Sequence, residues 1–218
     1  VHADETEKVN TLINHIQAYL YQKREWNPKW ENAFAPALCN RIDRNTGGIV
    51  IAAKNAETLR IINEKIRAHE LEKYYLCITV GRPKQPEGKI EGFLLKNEAK
   101  KEVRFFHKPV PGGKTAVTLY RTLESRGGLS LVECRLLTGR THQIRVSMSE
   151  IGCPLLGDGK YGKGDVNRRY HETRQALYSY KLRFDFPTDA GLLNYLKGQE
   201  FTVENVPFRE KYFPEIPS

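Results

Sequence analysis

No stretch of about 18 apolar residues occurs anywhere in this 218-residue chain, which excludes a membrane-spanning helix. The four cysteines, Cys39, Cys77, Cys134 and Cys153, form no C-x-x-C pair and have no histidine cluster beside them. Zinc and thiol-redox motifs are therefore missing, and buried, reduced thiols are expected. The opening residues, 1–10, are mostly polar and acidic and do not read as a secretory signal, so a cytoplasmic location is expected. There is no internal repeat and no Ser/Gly-rich linker, so a single domain over residues 1–218 is expected. With 39% hydrophobic and 28% charged residues the chain is not of the disordered class. What it has in excess is positive charge. Thirty-five Lys and Arg stand against 26 Asp and Glu, a net charge of +9, and a basic surface of this kind attracts polyanions.

Apolar spacing predicts a helix over 8–21, followed by a polar loop over 22–37. A short apolar run at 49–53 reads as a buried strand. Asn55 reads as the N-cap of a helix over 56–67, whose inner face would carry Leu59, Ile62, Ile66 and Ala56. Residues 72–80 are aromatic and β-branched, hence a strand; 81–92 read as a loop, and 109–113 as a break. Strands at 115–124 and 129–137 flank Gly127-Gly128, a hairpin signal. A helix over 140–151, a glycine-rich loop over 157–164, a strand over 176–186 and a short helix over 190–197 complete the reading. Strands outnumber helices and several are hairpin-joined. The fold class expected is α+β, a mixed, mostly antiparallel sheet with flanking helices.

Four stretches carry chemistry. In Asn40-Arg41-Ile42-Asp43-Arg44-Asn45-Thr46-Gly47-Gly48 a carboxylate lies between two arginines, which favours its ionised form and suits a nucleophile or a base. A salt bridge in a loop would use the same residues, and the two glycines permit either a tight turn or close approach to a ligand. In Glu72-Lys73-Tyr74-Tyr75 adjacent tyrosines must face opposite sides of a strand, and one of them can stack on a base or move a proton. In Thr138-Gly139-Arg140-Thr141-His142-Gln143-Ile144-Arg145 a strand breaks into a helix, and a helix start flanked by arginine suits phosphate. His142 has no triad partner in the pattern, so a structural hydrogen bond is favoured for it. Gly157-Asp158-Gly159-Lys160-Tyr161-Gly162 lacks the spacing of a phosphate-binding loop and reads as a turn.

These stretches, in this order, resemble the RluA-type RNA pseudouridine synthases. That family's H-R-L-D-R-x-T-S-G stretch corresponds to NRIDRNTGG, its Lys-x-Tyr strand to Lys73 and Tyr75, its G-R-T-H-Q-I-R-V-H stretch to GRTHQIRVS, and its G-x-P-x-x-G-D-x-x-Y-G stretch to residues 152–162. RQALYSYKLRFDFP is similar to the closing strand. Asn40, Ile42, Gly47, Cys77 and Ser147 depart from the family pattern at positions that carry no expected catalytic group.

The resemblance implies a catalytic domain with a central RNA-binding cleft that converts uridine to pseudouridine in RNA without metal or nucleotide cofactor; a monomer is the default expectation, and no obligate protein partner is evident in the sequence. Ribosomal RNA is favoured over transfer RNA. It implies that Asp43 is the essential catalytic residue, adding to the sugar or removing its 2′ proton. Arg145 would pair with that carboxylate, and Tyr75 would pack on the uracil. Arg41 would enter the space left by a flipped nucleotide, with Arg44, Lys73 and Arg140 contacting RNA. Val1-His2 is similar to the end of a further family stretch, so the family's first strand and any S4-type domain are expected to be absent from these 218 residues. A glycosidase would need a second acid near the first, where Asp43 has two arginines.

Overall fold

The computed structural model describes residues 10–30 and 34–214. In chain order its elements are α1 (Leu12–Gln22), β1 (Ala37–Leu38), β2 (Gly47–Gly48), β3 (Ala52–Ala53), α2 (Ala56–Arg67), β4 (Leu71–Val80), β5 (Glu87–Asn97), β6 (Glu102–Phe106), β7 (Lys114–Arg126), β8 (Leu129–Leu136), α3 (Gln143–Glu150), α4 (Gly164–Arg169), β9 (Leu177–Phe184), a 3₁₀ segment (Gly191–Leu196), β10 (Glu200–Thr202) and α5 (Pro207–Tyr212). Internal contacts divide the chain into two compact units. One holds the described residues up to Arg44, with Val50–Leu71 and Phe184–Gln199. The other holds Asn45–Ile49, Glu72–Arg183 and the residues from Glu200 onward.

The first unit is built on α1 and α2. Thr11 caps α1, its hydroxyl accepting from the Asn14 N–H. The helix therefore begins at Leu12; residues 8 and 9, where the periodicity starts, lie outside the described residues. Asn55 caps α2 as the sequence predicts, its side chain accepting from the Thr58 N–H at 2.8 Å. The buried face of α2 is centred on Ile61, Ile62 and Lys65, and Ala56 is exposed. Lys65 is a lysine on an inner face, and its three donors are all used: on Glu70 (2.7 Å), on the Thr188 hydroxyl (2.5 Å) and on the Thr188 carbonyl (3.1 Å). Burial raises the Glu70 carboxyl, but the Lys65 and Thr188 hydrogen bonds outweigh it and leave that carboxyl below its ordinary value.

The second unit is a sheet of order β10-β9-β4-β8-β7-β5-β6 among the described residues, with β2 added parallel to β9. β10–β9, β4–β8, β8–β7, β7–β5 and β5–β6 are antiparallel. The architecture is thus α+β on a mixed, mostly antiparallel sheet. Gly127 and Gly128 both have positive φ (59° and 80°), the requirement of the tight β7–β8 turn. One sheet face packs Leu76, Ile78, Val80, Leu129, Leu131, Leu156 and Ala176 with Val206 and Phe213; Val146 of α3 packs with Leu94, Val103 and Ala116.

Three further expectations need correction here. The run at 49–53 is not one strand: Gly47–Gly48 joins β9, while Ala52–Ala53 joins β1 antiparallel. The segment 81–92 is not all loop, because β5 starts at Glu87. Its glycines concealed the strand. Gly88 lies opposite Tyr120, and Gly92 leaves its space to the Phe105 ring, so cross-strand aromatics fill the side-chain positions the glycines lack. The segment 190–197 winds as 3₁₀ over Gly191–Leu196, not as an α-helix. The strands β6 and β10 and the short helices α4 and α5 had no expectation.

Candidate active site

The Asp43 loop is fastened by Asn40, one of the residues that depart from the family pattern. The Asn40 side-chain carbonyl accepts from the Ile51 N–H at 2.7 Å, and the Cys39 N–H donates to the Ile51 carbonyl at 2.8 Å. On this loop Asp43 is half-buried while Arg41 and Arg44 are exposed. Asn45 has φ 67°, a left-handed conformation asparagine tolerates. Beyond it Thr46 is buried and accepts from the Gln175 amide at 3.2 Å. Gly48 has φ 113°, and a Cβ there would fall on the Ser179 carbonyl; at Gly47 it would meet the Tyr178 ring at 2.6 Å. The glycine pair therefore serves close approach to β9, Gly48 to its backbone and Gly47 to the Tyr178 ring.

β4 presents Lys73 and Tyr75 on one face, two residues apart. Tyr75 is buried, opposite Cys134, whose thiol lies 4.0 Å from that of Cys77. Tyr74, on the other face, donates its hydroxyl to Glu72 at 3.0 Å, with the Lys181 ammonium 4.3 Å from its ring centroid. Lys73 lies opposite Leu136, and a methyl group at Gly139 would stand 3.6 Å from its ammonium. Burial pushes the Lys73 pKa down.

The link from β8 to α3 is organised by Gln143. Its carbonyl accepts from the Thr138 hydroxyl (2.8 Å) and the Arg140 N–H (3.0 Å); its amide donates to the Val117 carbonyl and the Thr118 hydroxyl, both at 3.0 Å. The helix was expected from 140 but starts at Gln143, because His142 takes a left-handed conformation with φ 54°. Arg140 thus precedes the helix; it is exposed, and its Nε donates to the Thr115 carbonyl at 2.9 Å. Arg145 is buried in α3 and makes a fork-to-fork ion pair with Asp158: Nε to Oδ2 at 2.7 Å and Nη2 to Oδ1 at 2.9 Å. Burial raises the Asp158 carboxyl, but Arg145 and the Lys160 and Tyr161 N–H groups more than offset this, holding it below its ordinary value.

Asp158 and its surroundings were missed, because an acid between glycines reads as turn chemistry. The only signal was that the acid and Tyr161 recur in the resemblance. The structural reading of His142 agrees with its hydrogen bond to the Tyr161 hydroxyl at 2.8 Å. Of the expected residues, Arg41, Asp43 and Arg44 share the 40–44 loop, Lys73 and Tyr75 share a face of β4, and Arg140 and Arg145 stand either side of the start of α3. Among the described residues no group of three or more His, Cys, Asp or Glu side chains is placed to hold a metal ion. Nor is any described helix long and apolar enough to cross a membrane.

The family model described as RNA pseudouridylate synthase matches residues 8–150, a span containing Asp43, Tyr75 and Arg145. The chain belongs to this family, in its RluA-type branch. Similar RNA pseudouridylate synthases include ribosomal large subunit pseudouridine synthase D of Borreliella burgdorferi, 35% identical over 184 residues, which are 84% of this chain and 53% of that protein. Ribosomal large subunit pseudouridine synthase C of Haemophilus influenzae is 33% identical over 161 residues, 72% of this chain and 50% of that protein. The chain thus spans about half the length of these curated relatives. Among solved structures, human RNA pseudouridylate synthase domain containing 4 has the same fold, with a TM-score of 0.69 at 21% identity, covering 91% of this chain and 80% of that one.

Proposed function

We propose that the protein isomerises uridines within structured RNA to pseudouridine, in ribosomal RNA and in the cytoplasm, with Asp43 as the essential residue. The observation that carries this reading is the family match over residues 8–150, a span that contains Asp43, Tyr75 and Arg145. The names of the relatives from Borreliella and Haemophilus support ribosomal RNA as substrate. In the reaction the N1–C1′ bond breaks, the uracil rotates, and a C5–C1′ bond forms; C5 loses its proton and N1 gains one. No redox cofactor enters that balance. Asp43 acts on the ribose, its charge kept by the Arg145 guanidinium. Tyr75 packs on the uracil and takes part in removing the C5 proton. A base inside a stacked helix must first be extruded, and Arg41 fills the space it leaves. Arg44, Lys73 and Arg140 contact the RNA backbone, in keeping with the net charge of +9.

The test is tritium release from large-subunit ribosomal RNA labelled at uridine C5. Asp43→Asn is expected to release none while still binding RNA, and Tyr75→Phe to bind but not turn over. Tritium release by Asp43→Asn at the wild-type rate would end the assignment, and release of free uracil would point to a hydrolase instead.

A further inference from the structure

The two oxygens of Asp158 do separable work. Oδ1 accepts from the Lys160 N–H at 2.8 Å and the Tyr161 N–H at 3.1 Å, which shapes the turn, and also from Arg145 Nη2. Oδ2 accepts from Arg145 Nε. The side chain has no solvent exposure, and the turn around it is held by a second residue as well. The buried Asn167 accepts from the Gly157 N–H at 2.8 Å and donates to the Asp158 carbonyl at 3.1 Å. A second contact fixes the face of the same guanidinium. Arg145 Cζ lies 5.2 Å from the Tyr161 ring centroid, and the Tyr161 hydroxyl accepts from the Val103 N–H at 2.9 Å and shares its other hydrogen bond with His142. The guanidinium is thus held both in its plane and across it.

We propose that Asp158 is a positioning residue for the isomerisation: through its fork-to-fork pair it fixes the direction of the Arg145 guanidinium before RNA arrives, with Tyr161 as the backing surface. This rests on the reading of Arg145 as part of the reacting centre. An arginine has four side-chain torsions, and a group that must be aimed at a single carboxylate gains from having them set in advance. A displacement of about 1 Å at a reacting centre lowers rate by about 100-fold, whereas binding spread over many phosphate contacts is insensitive to it.

The discriminating variant is Asp158→Asn. It keeps an Oδ1 acceptor for the turn N–H groups but sets an amide N–H₂ against Arg145 Nε–H, donor against donor. Measured on C5-tritiated large-subunit ribosomal RNA transcript under single turnover, its rate is expected to fall about 100-fold with the RNA Kd unchanged. Added to Arg145→Lys, the same change should cost no further activity, because its effect passes through that side chain. A rate that recovers fully on cooling to where the variant is folded would show a merely structural role and overturn the proposal. The unmodified protein gives a second measurement. The Arg145 Nε–H resonance, assigned by its loss in Arg145→Lys, should exchange slowly with water; exchange as fast as that of exposed arginines would overturn it without any activity assay. Wild-type speed in Asp158→Asn with a slow Arg145→Lys would sink this proposal alone, whereas wild-type speed in Arg145→Lys would sink the reading of the site beneath it.

Discussion

Replacing Arg145 by Met leaves the Asp158 carboxylate in place with 0% side-chain exposure and removes its only bidentate partner among the described contacts. Breaking a buried ion pair from one side costs about 3–5 kcal/mol, because the remaining charge is stranded. Two backbone donors, from Lys160 and Tyr161, stay on Oδ1, which puts the expected loss near the low end, about 3 kcal/mol. For a chain of this size that is a fall in Tm of roughly 6–12 °C at neutral pH. The loss should also depend on pH. In the native protein the Asp158 carboxyl is held below its ordinary value of 3.8, so its contribution is complete above that value and disappears as pH falls through the lower folded one. In Arg145→Met burial dominates and pushes the carboxyl upward, so the folded variant takes up a proton more readily than its unfolded chain and gains stability on acidification. The stability gap between the two proteins should therefore narrow from pH 7 towards about pH 4. Thermal or urea unfolding of both proteins across that range measures it. A gap below about 1 kcal/mol at neutral pH, or one that stays constant with pH, would refute the claim that Asp158 is a buried anion neutralised by Arg145.

Gly48→Ala must force a Cβ onto the Ser179 carbonyl at φ 113°, and the backbone strain alone should cost about 1–3 kcal/mol in chemical denaturation; Gly127→Asn, whose Cβ would meet nothing within 4 Å, should be close to neutral. Asn55→Ala removes the α2 cap and should lower stability by about 1 kcal/mol with little effect on RNA affinity. Lys73→Met relieves a desolvated ammonium whose pKa burial depresses, so thermal stability should hold or rise. RNA affinity should fall at the same time, and the slope of log Kobs against log salt should shrink by about 1, as for the loss of one phosphate contact. An unchanged salt slope would remove Lys73 from the RNA contacts.

Local rules made much of the fold legible. The α2 helix, its Asn55 cap and the Gly127-Gly128 turn follow from caps, spacing and positive φ, all of which act over a few residues. β5 was not legible, because the bulk that makes it a strand belongs to Tyr120 and Phe105 on its neighbours. The buried Lys65 was not legible either, because the partners that make its burial tolerable include Thr188, 123 residues away. In the site, the motif order pointed to Asp43, Tyr75 and Arg145, whose motif stretches each span only a few residues. Asp158, which pairs with Arg145, is 13 residues further on, in a turn whose acid looked like ordinary turn chemistry.

The sequence by itself determined the family, the polyanion-seeking charge and which side chains are chemically able to act, because these depend on residue type and short spacing. Only the tertiary structure decided that Asp158 is a buried counter-ion, that Gly48 exists for the β9 backbone, and that Gln143 closes the start of α3. Each of these depends on what distant segments bring within hydrogen-bond or van der Waals reach, a distance the linear spacing of residues does not contain.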